Sequence, residues 1–217
     1  TVYTTQTNNF LMQSKRHQNA INYYIVDLAD PGSTDPGTVL AYYSHNQDWV
    51  VSRRDQINGN TNNSTVAHET GHFFSLQHPF LGWESSVGFG PDFPGWPIAP
   101  VTAPDGGPTE LQNGSNCTIA ADKICDTPPD YKFAFQQGDC SPYNGGAMDP
   151  TGVLVDPMEN NTMSYFDACS TYVFTPLQSA VILADLSTSS RNFLDNTYSP
   201  VATSIDTPSD LLVSPEN

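Results

Sequence analysis

The sequence predicts an α+β fold. Short strands come first, then a helix that carries the densest chemistry of the chain, then a long irregular stretch closed by one more helix. Three observations support this. Residues 21–28, 38–44 and 49–52 are runs rich in Val, Ile, Tyr and Trp, the side chains that suit a pleated, half-buried surface. His68 and His72 stand four apart, a spacing that shares one helical face. Thr175 and Pro176 supply a cap and a first helical position for a run in which Leu177, Val181 and Ala184 fall together.

Taken in order, the first strand should end at the Asp30-Pro31-Gly32 turn. The next two strands are separated by a polar turn containing His45, an ordinary loop histidine. Asn63 or Ser64 is placed to cap the following helix, whose last turn should fall near Ser75. Residues 82–116 are crowded with Gly and Pro and carry Trp83, Phe89, Phe93 and Trp96. A loop of that length inside a domain is either functional or an insertion. Either its aromatic rings cover a cleft or hold substrate, or the stretch is a tolerated surface insertion. The last helix should pack beneath the segment around Met163.

The chemistry concentrates in His68, Glu69, His72 and His78. Two imidazoles one turn apart can bind one metal ion, and the carboxylate between them is placed to take a proton from metal-bound water without being a ligand. His78 lies ten residues beyond His68, so it joins the group only if the helix breaks near Ser75 and the chain turns back. A structural zinc site would normally be closed by a fourth protein ligand and would have no use for Glu69. The pattern therefore points to a catalytic zinc.

Far downstream, Asn160-Asn161-Thr162-Met163-Ser164-Tyr165 places a Met two residues before a Tyr. With Asp122-Lys123-Ile124-Cys125-Asp126-Thr127-Pro128 between the two motifs and Phe174-Thr175-Pro176-Leu177-Gln178 after them, the chain resembles the metzincin metallopeptidases, and among them the pappalysin family. The resemblance covers roughly residues 21 to 185. It implies a twisted mixed sheet and active-site helix above a cleft, with a Met-turn and a C-terminal helix below.

It also implies roles. His68, His72 and His78 would bind one catalytic zinc ion, Glu69 would be general base and acid, Met163 would form the floor, and Tyr165 would stand near the metal to assist the tetrahedral intermediate. The Asp122 to Pro128 loop corresponds to a calcium site, and Asp122, Asp126, Thr127 and Asp130 are oxygen donors dense enough to suit that ion. Asp167 is the candidate acid for reading a basic residue just after the scissile bond. By the same analogy Cys117 would pair with Cys140 and Cys125 with Cys169, although four cysteines allow three pairings. Two departures stand out. Ser75 replaces the Gly of the family pattern, at a turn where positive φ costs most residues roughly 1 kcal/mol, and the segment from Met163 to Cys169 is one residue shorter.

Composition bounds the rest. Seven Lys and Arg against 23 Asp and Glu give a net charge of −16, which argues against nucleic acid or anionic membrane as partner. No apolar run approaches the roughly eighteen residues of a membrane span. An even count of four cysteines suits a secreted or extracellular protein. The chain opens on Thr1 and reads as a processed product, and the short approach to His68 suggests that a first strand and helix are abbreviated or missing. The expected organisation is a catalytic domain over 1–199, with an upper subdomain over 1–78 and a lower subdomain over 79–199, followed by a Ser/Thr/Pro-rich tail over 200–217. The expected activity is peptide-bond hydrolysis of a protein or peptide substrate. The alternatives are a catalytically silent, calcium-stabilised zinc-binding module of a larger surface protein, or a zinc hydrolase of a non-peptide bond.

Overall fold

The computed structural model describes residues 2–6, 9–29, 39–57 and 64–194. The turn expected at Asp30 to Gly32, the capping position Asn63 and the tail over 200–217 lie outside them. The order is β1 (Val2–Gln6), α1 (Asn9–Ser14), β2 (Asn22–Leu28), β3 (Ala41–Ser44), β4 (Trp49–Arg53), α2 (Thr65–Phe73), α3 (Ala134–Gln137) and α4 (Pro176–Leu186), with short 3₁₀ turns at Arg54–Gln56 and Ser189–Leu194. A strand and a short helix thus precede β2. Among the described residues no helix is long and apolar enough to cross a membrane.

The sheet is small, open and mixed, in the order β1-β2-β4-β3. β1 and β4 flank β2 in parallel, and β3 pairs antiparallel to β4 with Tyr43 opposite Val50. Alternation along β2 sorts its two faces. Tyr24 and Val26 pack with Met12, Ala29, Trp49 and Val51 on one side, where the Tyr24 hydroxyl donates to the Met12 carbonyl. On the other side the Tyr23 hydroxyl meets Thr70 Oγ1 at 2.7 Å, which fixes α2 against the sheet. β3 is left as an edge strand beside α2.

Beyond residue 78 the chain builds the largest core among the described residues, almost without regular structure. Phe80, Trp83, Phe89, Tyr131, Phe133 and Phe166 bury together, with Phe93 and Trp96 packed against them. The aromatic residues of this stretch are therefore core, neither lining a cleft nor lying on a surface insertion. Trp83 and Phe89 are 2% and 0% exposed, and the apolar surface they remove from water replaces the packing that helices or strands would supply.

Two disulfides staple this region, and the pairing differs from the one expected. Cys117 bonds Cys125 and Cys140 bonds Cys169, not Cys117 with Cys140 and Cys125 with Cys169. The reason is proximity. The turns over 114–123 fold Cys117 back to within 5.0 Å (Cα–Cα) of Cys125, while a bridge between Asp139 and Asp167 lays the segments of Cys140 and Cys169 side by side.

The face of α4 also differs. Leu177 and Ala184 are exposed, and the buried face is Gln178, Val181 and Ile182, the last two packing with Leu76, Ile124 and Met163. Gln178 is fully buried because its amide is satisfied. It accepts from the Thr175 amide in a capping box and exchanges hydrogen bonds with the Asn161 side chain.

Candidate metal centre and active-site cleft

The helix break that the histidine spacing demands is made by α2 itself. Phe73 is its last residue, Ser75 has φ 69°, and the Ser75 and Leu76 amides donate back to the His72 and Gly71 carbonyls. This is a Schellman termination with Ser in the position glycine favours. Ser75 therefore bears the left-handed strain, and its hydroxyl donates to Asp185 Oδ1 at 3.0 Å. At the other end Ser64 occupies the N-cap, but its side chain makes no capping hydrogen bond.

The turn brings His78 back onto the face of His68 and His72. The three Nε2 atoms form a triangle with edges of 3.0–3.1 Å. Two ligands each about 2.0–2.1 Å from a tetrahedral zinc would be roughly 3.3 Å apart, so the triangle is close to a zinc-ready spacing. Each outer nitrogen faces an acceptor: His68 Nδ1 the Thr162 carbonyl at 2.9 Å, His72 Nδ1 the Leu76 carbonyl at 2.8 Å, and His78 Nδ1 the Glu84 carboxylate at 2.6 Å. Three Nδ1–H donors pointing outward leave three Nε2 lone pairs pointing inward. Burial, reinforced by the neighbouring rings, holds His72 down to about 4 and His68 well below its usual range, so both are neutral, as ligands must be. Among the described residues this is the only group of three or more His, Cys, Asp or Glu side chains whose ligand atoms converge.

Glu69 lies beside the triangle, 8% exposed, and burial raises its carboxyl to about 7 against a partly offsetting hydrogen bond from the Tyr43 backbone. Tyr165 packs against the histidine triangle, its ring centroid 5.5 Å from His68 and 4.9 Å from His78. Burial, Glu69 and Glu84 push its phenol to about 12, so it remains a hydrogen-bond donor at neutral pH. Met163 is fully buried under α2, in space left by Gly71, where a Cβ would collide with its sulfur. The Thr162 carbonyl that receives His68 belongs to the same turn. The downstream motif therefore braces the helix from below.

Two cavities flank the triangle, of about 1080 and 550 Å³, and both are lined by His68, Glu69, Tyr165 and the edge strand around Ala41. Asp167 lines the larger one; besides Glu69 it is the only carboxylate among the described residues to do so.

Of the four residues expected at a calcium site, Asp122 and Thr127 are joined to each other, while Asp126 and Asp130 bond to other parts of the chain. Thr127 Oγ1 donates to Asp122, which also accepts from the Ile124 amide. Asp126 receives the Thr175 hydroxyl and the Leu177 amide at the start of α4, and Asp130 receives Ser164 Oγ and the Phe133 amide. A residue that sequence reasoning missed lies next to Asp122. Glu110 is 3% exposed, burial and Asp122 raise its carboxyl to about 9, and among the described residues its Oε2 and the Thr109 hydroxyl are buried without a partner. No spacing signal marks Glu110, because it sits in an irregular stretch twelve positions before Asp122. Glu84 and Lys132 went unread for the same reason.

No protein-family model matches this sequence, and no curated protein does. Among solved structures the chain is similar to mature mirolysin of Tannerella forsythia in complex with a cleaved peptide, with 20% identity and a TM-score of 0.48 over 88% of this chain and 65% of that one. Mirolysin in complex with compound 9 gives 19% identity and a TM-score of 0.49 over the same shares. The chain thus spans 65% of the length of these structures, and the overlap is partial.

Proposed function

We propose that this chain is an extracellular zinc-dependent endopeptidase of the metzincin type, similar in its motifs to the pappalysins. The observation that carries the reading is the triangle of three Nε2 atoms whose tautomers are set by three outward acceptors, with a buried carboxylate beside it. Zinc held there supplies an open coordination position, a more acidic water and polarisation of a carbonyl. Glu69 accepts the proton of the attacking water and returns it to the leaving amine. The Tyr165 hydroxyl donates to the oxygen that gains charge as the carbonyl becomes tetrahedral. Met163 supports α2 from beneath, keeping His68 and His72 in register.

The substrate lies extended beside β3, which borders both cavities, so that backbone hydrogen bonds supply affinity and the cavities supply selectivity. Asp167 favours Arg or Lys in the larger cavity, just after the scissile bond. A structural calcium ion would be held by Asp122 together with Glu110 and Thr109. The unpartnered Glu110 oxygen and Thr109 hydroxyl support this, since a hard cation is the partner that buried oxygen donors of this kind lack. Asp126 and Asp130 then serve the fold around the site.

The test is cleavage of a diverse peptide library by the zinc-loaded parent, Glu69→Ala and Asp167→Asn, with every cut mapped by mass spectrometry. Cleavage by the parent, its loss with Glu69→Ala, and loss of the basic preference with Asp167→Asn are expected. If the zinc-loaded parent cuts nothing, the silent binding module becomes the reading to pursue.

A further inference from the structure

Of the three imidazoles, His78 has the least support from regular structure. It follows the left-handed Ser75 and lies outside α2. Its ring stacks on Phe80, with centroids 4.5 Å apart and planes 11° from parallel, which sets its plane but not its rotation. The rotation is set by Glu84, whose Oε1 lies 2.6 Å from Nδ1. His68 and His72 meet neutral carbonyls instead. A carboxylate acceptor makes a shorter, stronger hydrogen bond than a carbonyl and makes the imidazole a better donor to a metal.

Glu84 is itself held from several sides. Its amide and that of Ser85 donate to Asp105 Oδ2 at 3.0 and 3.3 Å, and the Ser85 hydroxyl donates to Asp105 Oδ1. Its carbonyl accepts from Lys132 Nζ at 2.7 Å, and the same ammonium reaches the Ser86 carbonyl at 2.8 Å. Lys132 is 8% exposed and adopts φ 65°, a strained conformation for a residue with a side chain. Yet the Glu84 side chain is 43% exposed, so burial of that side chain does not explain why its backbone is pinned so firmly. Aiming the carboxylate at His78 does.

We infer that Glu84 is the positioning residue for the third zinc ligand, presented to His78 by Lys132 and Asp105. The inference rests on the three-histidine zinc reading. It also gives the irregular Gly- and Pro-rich stretch a role in the metal centre in addition to its packing.

Zinc affinity is measured by competition with a chromogenic chelator for the parent, Glu84→Ala, Glu84→Gln and His78→Ala, alongside the melting temperature of each metal-free protein. Glu84→Ala is expected to weaken zinc binding roughly 10- to 100-fold. Glu84→Gln, which keeps an acceptor oxygen but not the charge, should recover part of that loss. Metal-free Glu84→Ala should melt within about 2 °C of the parent, as an exposed substitution does. Parental affinity in Glu84→Ala while His78→Ala loses zinc would overturn the positioning role and leave the zinc site standing. Parental affinity in His78→Ala would bring down the three-histidine reading itself. A large fall in the metal-free melting temperature of Glu84→Ala would assign Glu84 to the fold and likewise overturn the inference.

Discussion

Arg191 ties three regions of the molecule together, so its removal should cost more than that of any surface charge. Its guanidinium donates to Asp185 Oδ2 and Asp48 Oδ1 at 2.8 Å each and to the Phe73 carbonyl at the end of α2, and it lies 3.9 Å over the Phe73 ring. The Arg191 side chain is 9% exposed, Asp185 14% and Asp48 25%. Removing one partner of a buried ion pair costs about 3–5 kcal/mol. Both carboxylates can partly rehydrate, which favours the low end, while the Phe73 carbonyl loses a donor and the ring a cation, which adds to it. Arg191→Ala should therefore lose about 3–4 kcal/mol. For a chain of this size that is roughly 6–16 °C in melting temperature, read by calorimetry or circular dichroism. Arg191→Lys keeps the charge but not the fork that reaches three acceptors, and should lose about half as much. An Arg191→Ala protein melting within about 2 °C of the parent would refute the clamp.

The site and its supports can be probed in the same way. Gly71→Ala gains about 1 kcal/mol of helix propensity but drives a methyl group into Met163, and overpacking of this kind costs about 1–3 kcal/mol. A net fall in melting temperature of a few degrees is expected, and a rise would show that Met163 moves aside freely. For the cation-free protein, burial raises Glu110 to about 9 and Asp122 to about 7. Both groups bind protons more tightly folded than unfolded, so their contribution to stability is greatest below about pH 4 and is lost as pH rises through 7 and then 9. Melting temperatures in chelator should fall over that range, and millimolar calcium should flatten the fall. A slope unchanged by calcium would count against a cation at Glu110.

Much of the upper architecture was legible in the sequence because its residues answer to a period. Residues 22–28 and 49–53 form strands where β-branched and aromatic side chains run together, and the ten-residue reach from His68 to His78 forced a break that Ser75 makes. Periodicity misled at α4, where apolar spacing put Leu177 and Ala184 inward. The helix instead buries Gln178, whose amide pairs with Asn161 and with its own cap. In the irregular stretch after His78 there is no period to read. Trp83 and Phe89 became core instead of cleft lining, and the disulfide partners were set by turns that composition does not specify. Glu84, Glu110 and Lys132 took their roles from neighbours far away in sequence or from local irregular loops.

Everything proposed for the cleft depends on three imidazoles and Glu69 acting as one zinc-dependent hydrolytic centre. That is tested by titrating metal-free protein with zinc while following cleavage of a peptide that the parent cuts. Activity should rise to a plateau at about one equivalent per chain, as three ligands at one open site require, and Glu69→Gln should take up the same equivalent without hydrolysis. Cleavage by the metal-free protein, or by zinc-loaded Glu69→Gln at the parental rate, would contradict a centre of this kind.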